Sequence, residues 1–404
     1  MIPKIAAVDL NVADVILKDY QQEGQIEQYI EALQKAHDGR DRFPLTEDQF
    51  NKLSPMLARR DVALCKGGTT SGALETIGRL GKGEPKHQII GVLGEGAYSK
   101  IVEGDLKGSG VEIVPVINGV NPVTAVSIVL RPPGKPPIIA TYPGNAKEIV
   151  MPWRLPKDII SNADALYIQG SMSDGQGSMR GRFDSTVMDT LLKYRKEKNE
   201  KGFNQKLIVA LPNTAFQDAY DWKLATGSAD IVVSNMENLK ACFPMENGDS
   251  IMQLQAHMRG CNEVLAKQFN NTEGQVAFIY DGNNDAWVVT ADDKIPIPPV
   301  ESKNKVAYPL GVEDSAYAGF LTGHLSGMKL QESGHLAMLL AAAKQSDEWP
   351  SLQDPRATLM ELRAGTSALR RLDNCLRGDG QRFVASHQSI PDTEKPTHGG
   401  YFYG

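Results

Sequence analysis

Apolar residues follow two patterns along the chain, and the change between them falls near residue 150. Beyond that point, short apolar runs alternate with longer segments in which apolar positions recur every three or four residues. This alternation is typical of an α/β protein with a mainly parallel central sheet and helices on both faces. The predicted strands are 165–168, 207–211, 231–234 and 276–280, and the predicted helices are 184–198, 214–224, 236–243, 250–269 and 336–343.

The first 150 residues are less regular. A buried strand is predicted over 5–16, and two further strands are predicted over 62–66 and 89–94. The polar segment 20–62 has helical spacing of its apolar residues, which predicts a helical insertion. Three apolar runs with no helix between them lie within 111–142, which predicts a small antiparallel sheet beside the larger one.

The C-terminal part adds a hairpin and a tail. Residues 287–290 and 295–298 form a predicted hairpin, and residues 357–376 are predicted to be helical. Polar residues, prolines and glycines dominate from 377 to 404, which is typical of a flexible tail. We therefore expect one domain over residues 1–376 and a flexible C-terminal tail over 377–404.

Composition and charge exclude several classes of protein. Of the 404 residues, 41% are hydrophobic and 23% are charged, as in ordinary globular proteins. The net charge of −6 disfavours nucleic acid or an anionic membrane as the main partner. No apolar run is long enough to span a membrane, and the N-terminal apolar run is too short for a signal peptide. We therefore expect a cytoplasmic protein.

The segment from Gly311 to Leu321 has the most distinctive pattern. It begins as a polar turn that contains Glu313 and Asp314, and it continues as small and apolar residues typical of a buried helix. Aspartate is a common N-cap residue, so an ordinary helix start is one interpretation. The alternative is an anion site, because the N–H groups at a helix N-terminus bind anions.

Two other segments offer polar groups at strand ends. Three polar residues interrupt the first predicted strand: Asp9, Asn11 and Asp14. They indicate either a simple turn or hydrogen-bond acceptors for the hydroxyls of a substrate. The pair Gly67-Gly68 lies between a predicted strand and a predicted helix. Paired glycines allow a ligand to approach the backbone closely, although a plain strand–turn–helix joint has the same pattern.

The order of these features resembles the ribokinase-like (PfkB) family of sugar and nucleoside kinases, and within it the adenosine-kinase-like branch. The likeness extends over most of residues 5 to 345. It rests on the Gly67-Gly68 turn, on Asn235-Met236-Glu237-Asn238, on Gly282 after a strand, and on Gly311-Val312-Glu313-Asp314 followed by Ser315-Ala316-Tyr317-Ala318-Gly319-Phe320.

The resemblance implies ATP-dependent transfer of a phosphoryl group to a hydroxyl of a sugar or nucleoside. Asp314 would be the catalytic base, and the backbone of Gly311, Val312 and Glu313 would form the anion hole. The segments 10–20 and 111–142 would form a lid that excludes water, and the lid could also mediate a homodimer.

The resemblance also assigns the binding residues. Asn11, Asp14, Gly67 and Gly68 would bind the acceptor. Asn235 and Gly282 would bind ATP, and Glu237 would hold Mg²⁺.

Several positions depart from the family pattern. Glu313 replaces a glycine of the anion hole, Asn238 replaces the glutamate of the N-x-x-E motif, and Gly72 replaces an asparagine after the paired glycines. Tyr308 replaces an aspartate, and the lid arginine is missing at Pro136-Pro137. These departures leave two hypotheses open, an active kinase or a weak or inactive member of the fold with a binding or regulatory role.

Overall fold

The computed structural model of the protein describes residues 2–345, apart from residues 10, 22, 82, 117–121, 134, 146–149, 151, 170–185, 212–221, 245–248, 270, 283–284 and 301–310. Its strands are β1 Ile5–Val8, β2 Val12–Leu17, β3 Arg42–Pro44, β4 Val62–Lys66, β5 His87–Gly91, β6 Val111–Pro115, β7 Ala125–Leu130, β8 Ile138–Tyr142, β9 Ala165–Gln169, β10 Lys206–Ala210, β11 Ile231–Asn235, β12 Val276–Tyr280, β13 Ala286–Thr290 and β14 Lys294–Ile297. Its helices are α1 Gln25–Ala36, α2 Glu47–Leu57, α3 Thr69–Leu80, α4 Ala97–Gly108, α5 Lys157–Asn162, α6 Val187–Asn199, α7 Trp222–Ser228, α8 Met236–Cys242, α9 Ser250–Phe269, α10 Val312–Leu325 and α11 Leu330–Gln345.

The larger sheet has nine strands in the order β14-β13-β12-β11-β10-β9-β1-β5-β6. All neighbouring strands from β12 to β6 are parallel, and the β12–β13–β14 edge is antiparallel. The strands and the hairpin predicted beyond residue 150 are confirmed. Helices cover both faces, because successive residues of each buried strand point to opposite sides and both sides are apolar.

The two faces of this sheet belong to two hydrophobic cores. On β1, Ile5 and Ala7 face the core formed with α3, α4, α10 and α11. Ala6 and Val8 face the core formed with α5 to α9. The fold class expected from the sequence, an α/β protein with a mainly parallel sheet between two helical layers, is confirmed.

A second sheet has five strands in the order β3-β8-β7-β2-β4. One face is apolar and packs against α1 and α2 through residues such as Val15, Phe43 and Ile128. A capping box begins α2, since Thr46 and Gln49 exchange hydrogen bonds between side chain and backbone. The opposite face of the sheet is free of these helices.

The second sheet differs from the expected arrangement of lid and insertion. The strand predicted over 5–16 is divided at Asn11, which has a φ of 54°, and its second half leaves the main sheet as β2. The segment 111–142 is also divided, since β6 pairs with β5 in the main sheet and only β7 and β8 join the second one. The helical insertion over 20–62 contains the strand β3. Short apolar runs carry no information about which sheet they join, and that explains these differences.

Other sequence predictions lie outside the described residues. These are the helix at 357–376, the tail at 377–404, Tyr308 and most of the helix at 214–224. Two helices, α4 and α5, were not predicted.

Candidate active site

A cleft with a volume of about 330 Å³ lies between the second sheet and the helices α3, α10 and α11. Its walls bring together residues that are far apart in sequence. Asp14 comes from β2, Gly67 and Gly68 precede α3, and Gly311 and Asp314 belong to the start of α10. The cleft therefore unites three of the four predicted acceptor-binding residues, Asp14, Gly67 and Gly68, with the predicted catalytic base.

The predicted anion hole lies at the start of α10. Gly311 is the N-cap residue and has a left-handed backbone with a φ of 76°, which favours glycine. A glycine has no side chain to cap the first-turn N–H groups, which have no partner within the helix. Val312 is fully buried in the core, so it can contribute only its backbone. The helix dipole adds positive potential at the same point.

The Glu313 side chain is directed away from the cleft. Its side chain is 3% exposed and is absent from the cleft wall. Its carboxylate accepts hydrogen bonds from the Tyr317 hydroxyl and from Asn235 Nδ2, the latter at 3.1 Å. The negative charge that the sequence places in the predicted anion hole is therefore held outside the cleft wall by Tyr317 and Asn235.

Asp314 lies against the backbone of α3. A Cβ atom added to Gly72 would come within 2.1 Å of Asp314 Oδ2, so only glycine leaves room for this carboxylate. Asp314 Oδ1 is buried without a hydrogen-bond partner among the described residues. Burial raises the pKa of Asp314 well above its usual value, and the positive charges of Lys66 and Arg42 oppose this rise.

Asp14 lies in the same cleft. A Cβ atom added to Gly67 would come within 2.1 Å of Asp14 Oδ1, so the glycine allows close contact here too. Burial raises the pKa of Asp14 to about 6, against the lowering effect of Lys66 and Arg42. The cleft thus contains the buried carboxyl group of Asp314 and the half-buried carboxyl group of Asp14, and desolvation favours the protonated form of both.

The remaining predicted residues lie outside the cleft wall. Asn11 is fully buried next to Gly91, and its amide has no hydrogen-bond partner among the described residues. Asn235 caps α8 by accepting from the Asn238 N–H at 2.7 Å. Gly282, with a φ of 59°, lies in the turn after β12, the parallel neighbour of β11, at whose end Asn235 lies.

Glu237 is an exposed residue in the first turn of α8. Partial desolvation of its carboxyl group raises its pKa, Arg42 opposes this rise, and Glu313 adds to it. Across the described residues, no group of three or more histidine, cysteine, aspartate or glutamate side chains could hold a metal by itself. A Mg²⁺ ion carried by a nucleotide needs only one or two carboxylates, because phosphate oxygens and water complete its shell.

The family model described as "pfkB family carbohydrate kinase" matches residues 43–348, more than half of the chain. The chain belongs to this family. No curated protein sequence matches it. Solved structures similar to this chain include an adenosine kinase from Sinorhizobium meliloti, with 17% sequence identity and a TM-score of 0.61. The match covers 84% of this chain and 93% of that one.

Two other structures are similar at the same level. A probable sugar kinase from Rhizobium etli CFN 42 has 15% identity and a TM-score of 0.62 over 88% of this chain and 100% of that one. Adenosine kinase from Schistosoma mansoni in complex with 2-fluoroadenosine has 15% identity and a TM-score of 0.64 over 86% and 96%. At such identities the likeness shows the fold, and together with the family it supports a carbohydrate or nucleoside kinase. In the part of the chain that the structure describes, no helix has the length and apolar character of a membrane span.

The cleft is also lined by four positively charged side chains that the sequence analysis did not single out. These are Arg42 on β3, Lys66 at the end of β4, Arg79 on α3 and Lys344 on α11. Lys66 and Arg79 both pair with Glu75, and burial lowers the pKa of Lys344. They lie on four different elements, so no local motif marks them, and only the tertiary structure brings them to Asp314.

Proposed function

We propose that the protein transfers the γ-phosphoryl group of ATP to a hydroxyl of a sugar or nucleoside. One observation carries the proposal: a buried carboxylate, Asp314, lies in the first turn of a helix whose glycine N-cap leaves its N–H groups available. Phosphoryl transfer needs a base at the acceptor hydroxyl and positive potential at the phosphoryl oxygens. The start of α10 offers both within one helical turn.

In this proposal each residue has a defined role. Asp314 accepts the proton of the acceptor hydroxyl as that oxygen forms its bond to phosphorus and the bond to the ADP oxygen breaks. The N–H groups at Gly311–Asp314 stabilise the charge on the transferred group. Asp14, with the backbone at Gly67 and Gly68, orients the acceptor, which lowers the entropic cost of the reaction. A raised pKa makes Asp314 a stronger base once it is ionised.

The position of Glu313 favours an active kinase over an inactive member of the fold. A carboxylate pointing into the anion hole would repel a phosphoryl group by roughly 4 kcal/mol per unit charge at 4 Å and an effective dielectric of 20. Its hydrogen bonds to Tyr317 and Asn235 hold it behind the hole instead. The substitution is thus compatible with phosphate binding.

Asn235 and Gly282 are proposed to lie on the nucleotide side, since Asn235 ends β11 and Gly282 follows the neighbouring strand β12. Glu237 would hold Mg²⁺, which supplies charge neutralisation to the nucleotide phosphates when it is bound. Glu237 lies two residues after Asn235, whose side chain is hydrogen-bonded at 3.1 Å to Glu313 in the first turn of α10.

The test is acceptor-dependent release of ADP from Mg-ATP, measured over a panel of sugars, sugar acids, sugar phosphates and nucleosides. We expect at least one member to be phosphorylated, and we expect Mg-ATP to raise the melting temperature because it binds the folded state. Failure of every acceptor, together with no thermal shift from Mg-ATP, would contradict the proposed function.

A further inference from the structure

The second sheet presents a polar row to the cleft. The strand register places Asp14 beside Cys65 on one side and Ser127 on the other, and Ser127 beside Thr141. All four line the cleft, and the Ser127 and Thr141 hydroxyls are hydrogen-bonded at 2.9 Å. Adjacent strands are about 4.8 Å apart, so the row from Asp14 to Thr141 is about 10 Å long. That length suits the successive hydroxyls of one sugar.

A cation lies at the far end of this row. Arg42 on β3 pairs with Ile139 of β8, two residues before Thr141, and both line the cleft. The next residue, Phe43, turns to the other face of the sheet and stacks on His37 with ring centroids 5.0 Å apart. The alternation of a strand thus directs the guanidinium to the cleft and the aromatic ring to the core.

The charge of Arg42 reaches the acceptor side of the site. It lowers the pKa of both Asp14 and Asp314, so its electrostatic effect spans the cleft. An arginine presents a planar fork of N–H donors that matches a carboxylate or phosphate group. Lys66, which also lines the cleft, adds a second positive charge, although it is paired with Glu75 at 3.2 Å.

We propose that the acceptor is a sugar that carries its own carboxylate or phosphate group. Its hydroxyls bind along the row formed by Asp14, Ser127 and Thr141, and Arg42 binds its anionic group. This inference rests on the proposed function, because it takes the cleft to be the acceptor site. It goes further by selecting an anionic sugar over a neutral sugar or a nucleoside.

The experiment measures binding to the full chain by calorimetry without ATP. The probes are matched pairs, D-gluconate against D-glucose and fructose 6-phosphate against fructose, with adenosine as the nucleoside. The first pair tests whether the site prefers a carboxylate, and the second tests whether it prefers a phosphate. We expect one anionic member to bind at least about tenfold more tightly than its neutral partner, which is about 1.4 kcal/mol.

The variants are Arg42→Gln and the control Arg40→Gln, which removes the same charge from an exposed position two residues earlier. Arg42→Gln should abolish the preference for the anionic member, and Arg40→Gln should preserve it. Arg42→Lys keeps the charge without the fork and should give an intermediate preference, and it serves as the second variant if Arg42→Gln does not fold.

Three results would overturn the inference: equal binding of anionic and neutral partners, equal weakening of both by Arg42→Gln, or no binding of any anionic member. The outcome is separable from that of the proposed function. Phosphorylation of neutral sugars or adenosine alone would leave a kinase and reject the anionic acceptor. Arg42-dependent binding of anionic sugars without any ADP release would support the anionic-sugar site and contradict the kinase activity.

Discussion

The close contact between Gly72 and Asp314 gives a sharp test of how the site is built. In Gly72→Ala, the new Cβ would lie 2.1 Å from Asp314 Oδ2, whereas real Cβ contacts essentially never fall below 3.0 Å. Because the α3 backbone is fixed by its packing, the carboxylate has to move, by about 1 Å. A misplacement of that size can lower the rate of a reaction about 100-fold.

The expected result separates catalysis from stability. Replacing glycine by alanine inside a helix favours the helix by roughly 0.5–1 kcal/mol, which offsets part of the cost of the clash. The new Cβ would also lie 2.6 Å from Cγ and 2.9 Å from Cβ of Asp314, so the first turn of α10 has to shift together with the carboxylate. We therefore expect kcat of the folded variant to fall about 100-fold, with a melting temperature somewhat below that of the wild type.

The matched control is Gly104→Ala in α4, where a Cβ would meet nothing within 4 Å. It should keep full activity. The assay is acceptor-dependent ADP release, with a thermal melt of each variant. If Gly72→Ala kept kcat within about twofold of the wild type, the claim that catalysis depends on the position of the Asp314 carboxylate would be wrong.

Three further predictions concern charge. The pKa of Asp14 is raised from 3.8 to about 6. The protonated carboxyl group therefore stabilises the fold fully below pH 4, and the free energy of unfolding falls by about 3 kcal/mol as the pH rises through 6. Asp14→Asn should therefore raise the melting temperature at pH 8 but not at pH 4 and should weaken acceptor binding; an equal thermal effect at both pH values would contradict this. Lys66 lowers the pKa of Asp314, so Lys66→Met should move the acidic limb of the kcat/KM profile to higher pH, and an unmoved limb would exclude that coupling. Arg195, which is 0% exposed, donates to both oxygens of Asp230, at 2.8 and 2.6 Å, so Arg195→Leu should lower the free energy of unfolding by about 3–5 kcal/mol in a denaturation experiment, and a loss below about 1 kcal/mol would refute it.

Much of the main sheet could be predicted from the sequence because its signals are local. The helix predicted over 250–269 has those bounds in the structure, and the strand predicted over 276–280 does as well. The assignment of strands to two sheets could not be predicted in the same way. Residues 62–66 and 111–115 are both short apolar strands, yet the first joins the second sheet and the other joins the main sheet.

The site shows the same division between local and tertiary information. The sequence singled out Asp14, Gly67, Gly68 and Asp314, and the structure places them in one cleft. It could not predict where the Glu313 carboxylate points, because its partners Tyr317 and Asn235 come from α10 itself and from the end of β11.

The cations of the cleft were also beyond prediction. Arg42 and Lys344 are separated by most of the chain and approach the site only through packing.

Exchange of Asp314 for asparagine tests the central claim most directly. The substitution preserves the size of the side chain and removes its ability to accept a proton. With the acceptor that gives the highest turnover, Asp314→Asn should lower kcat about 10²–10⁴-fold, while Mg-ATP still raises the melting temperature as in the wild type. Turnover by Asp314→Asn within a few-fold of the wild type would contradict the assignment of Asp314 as the base.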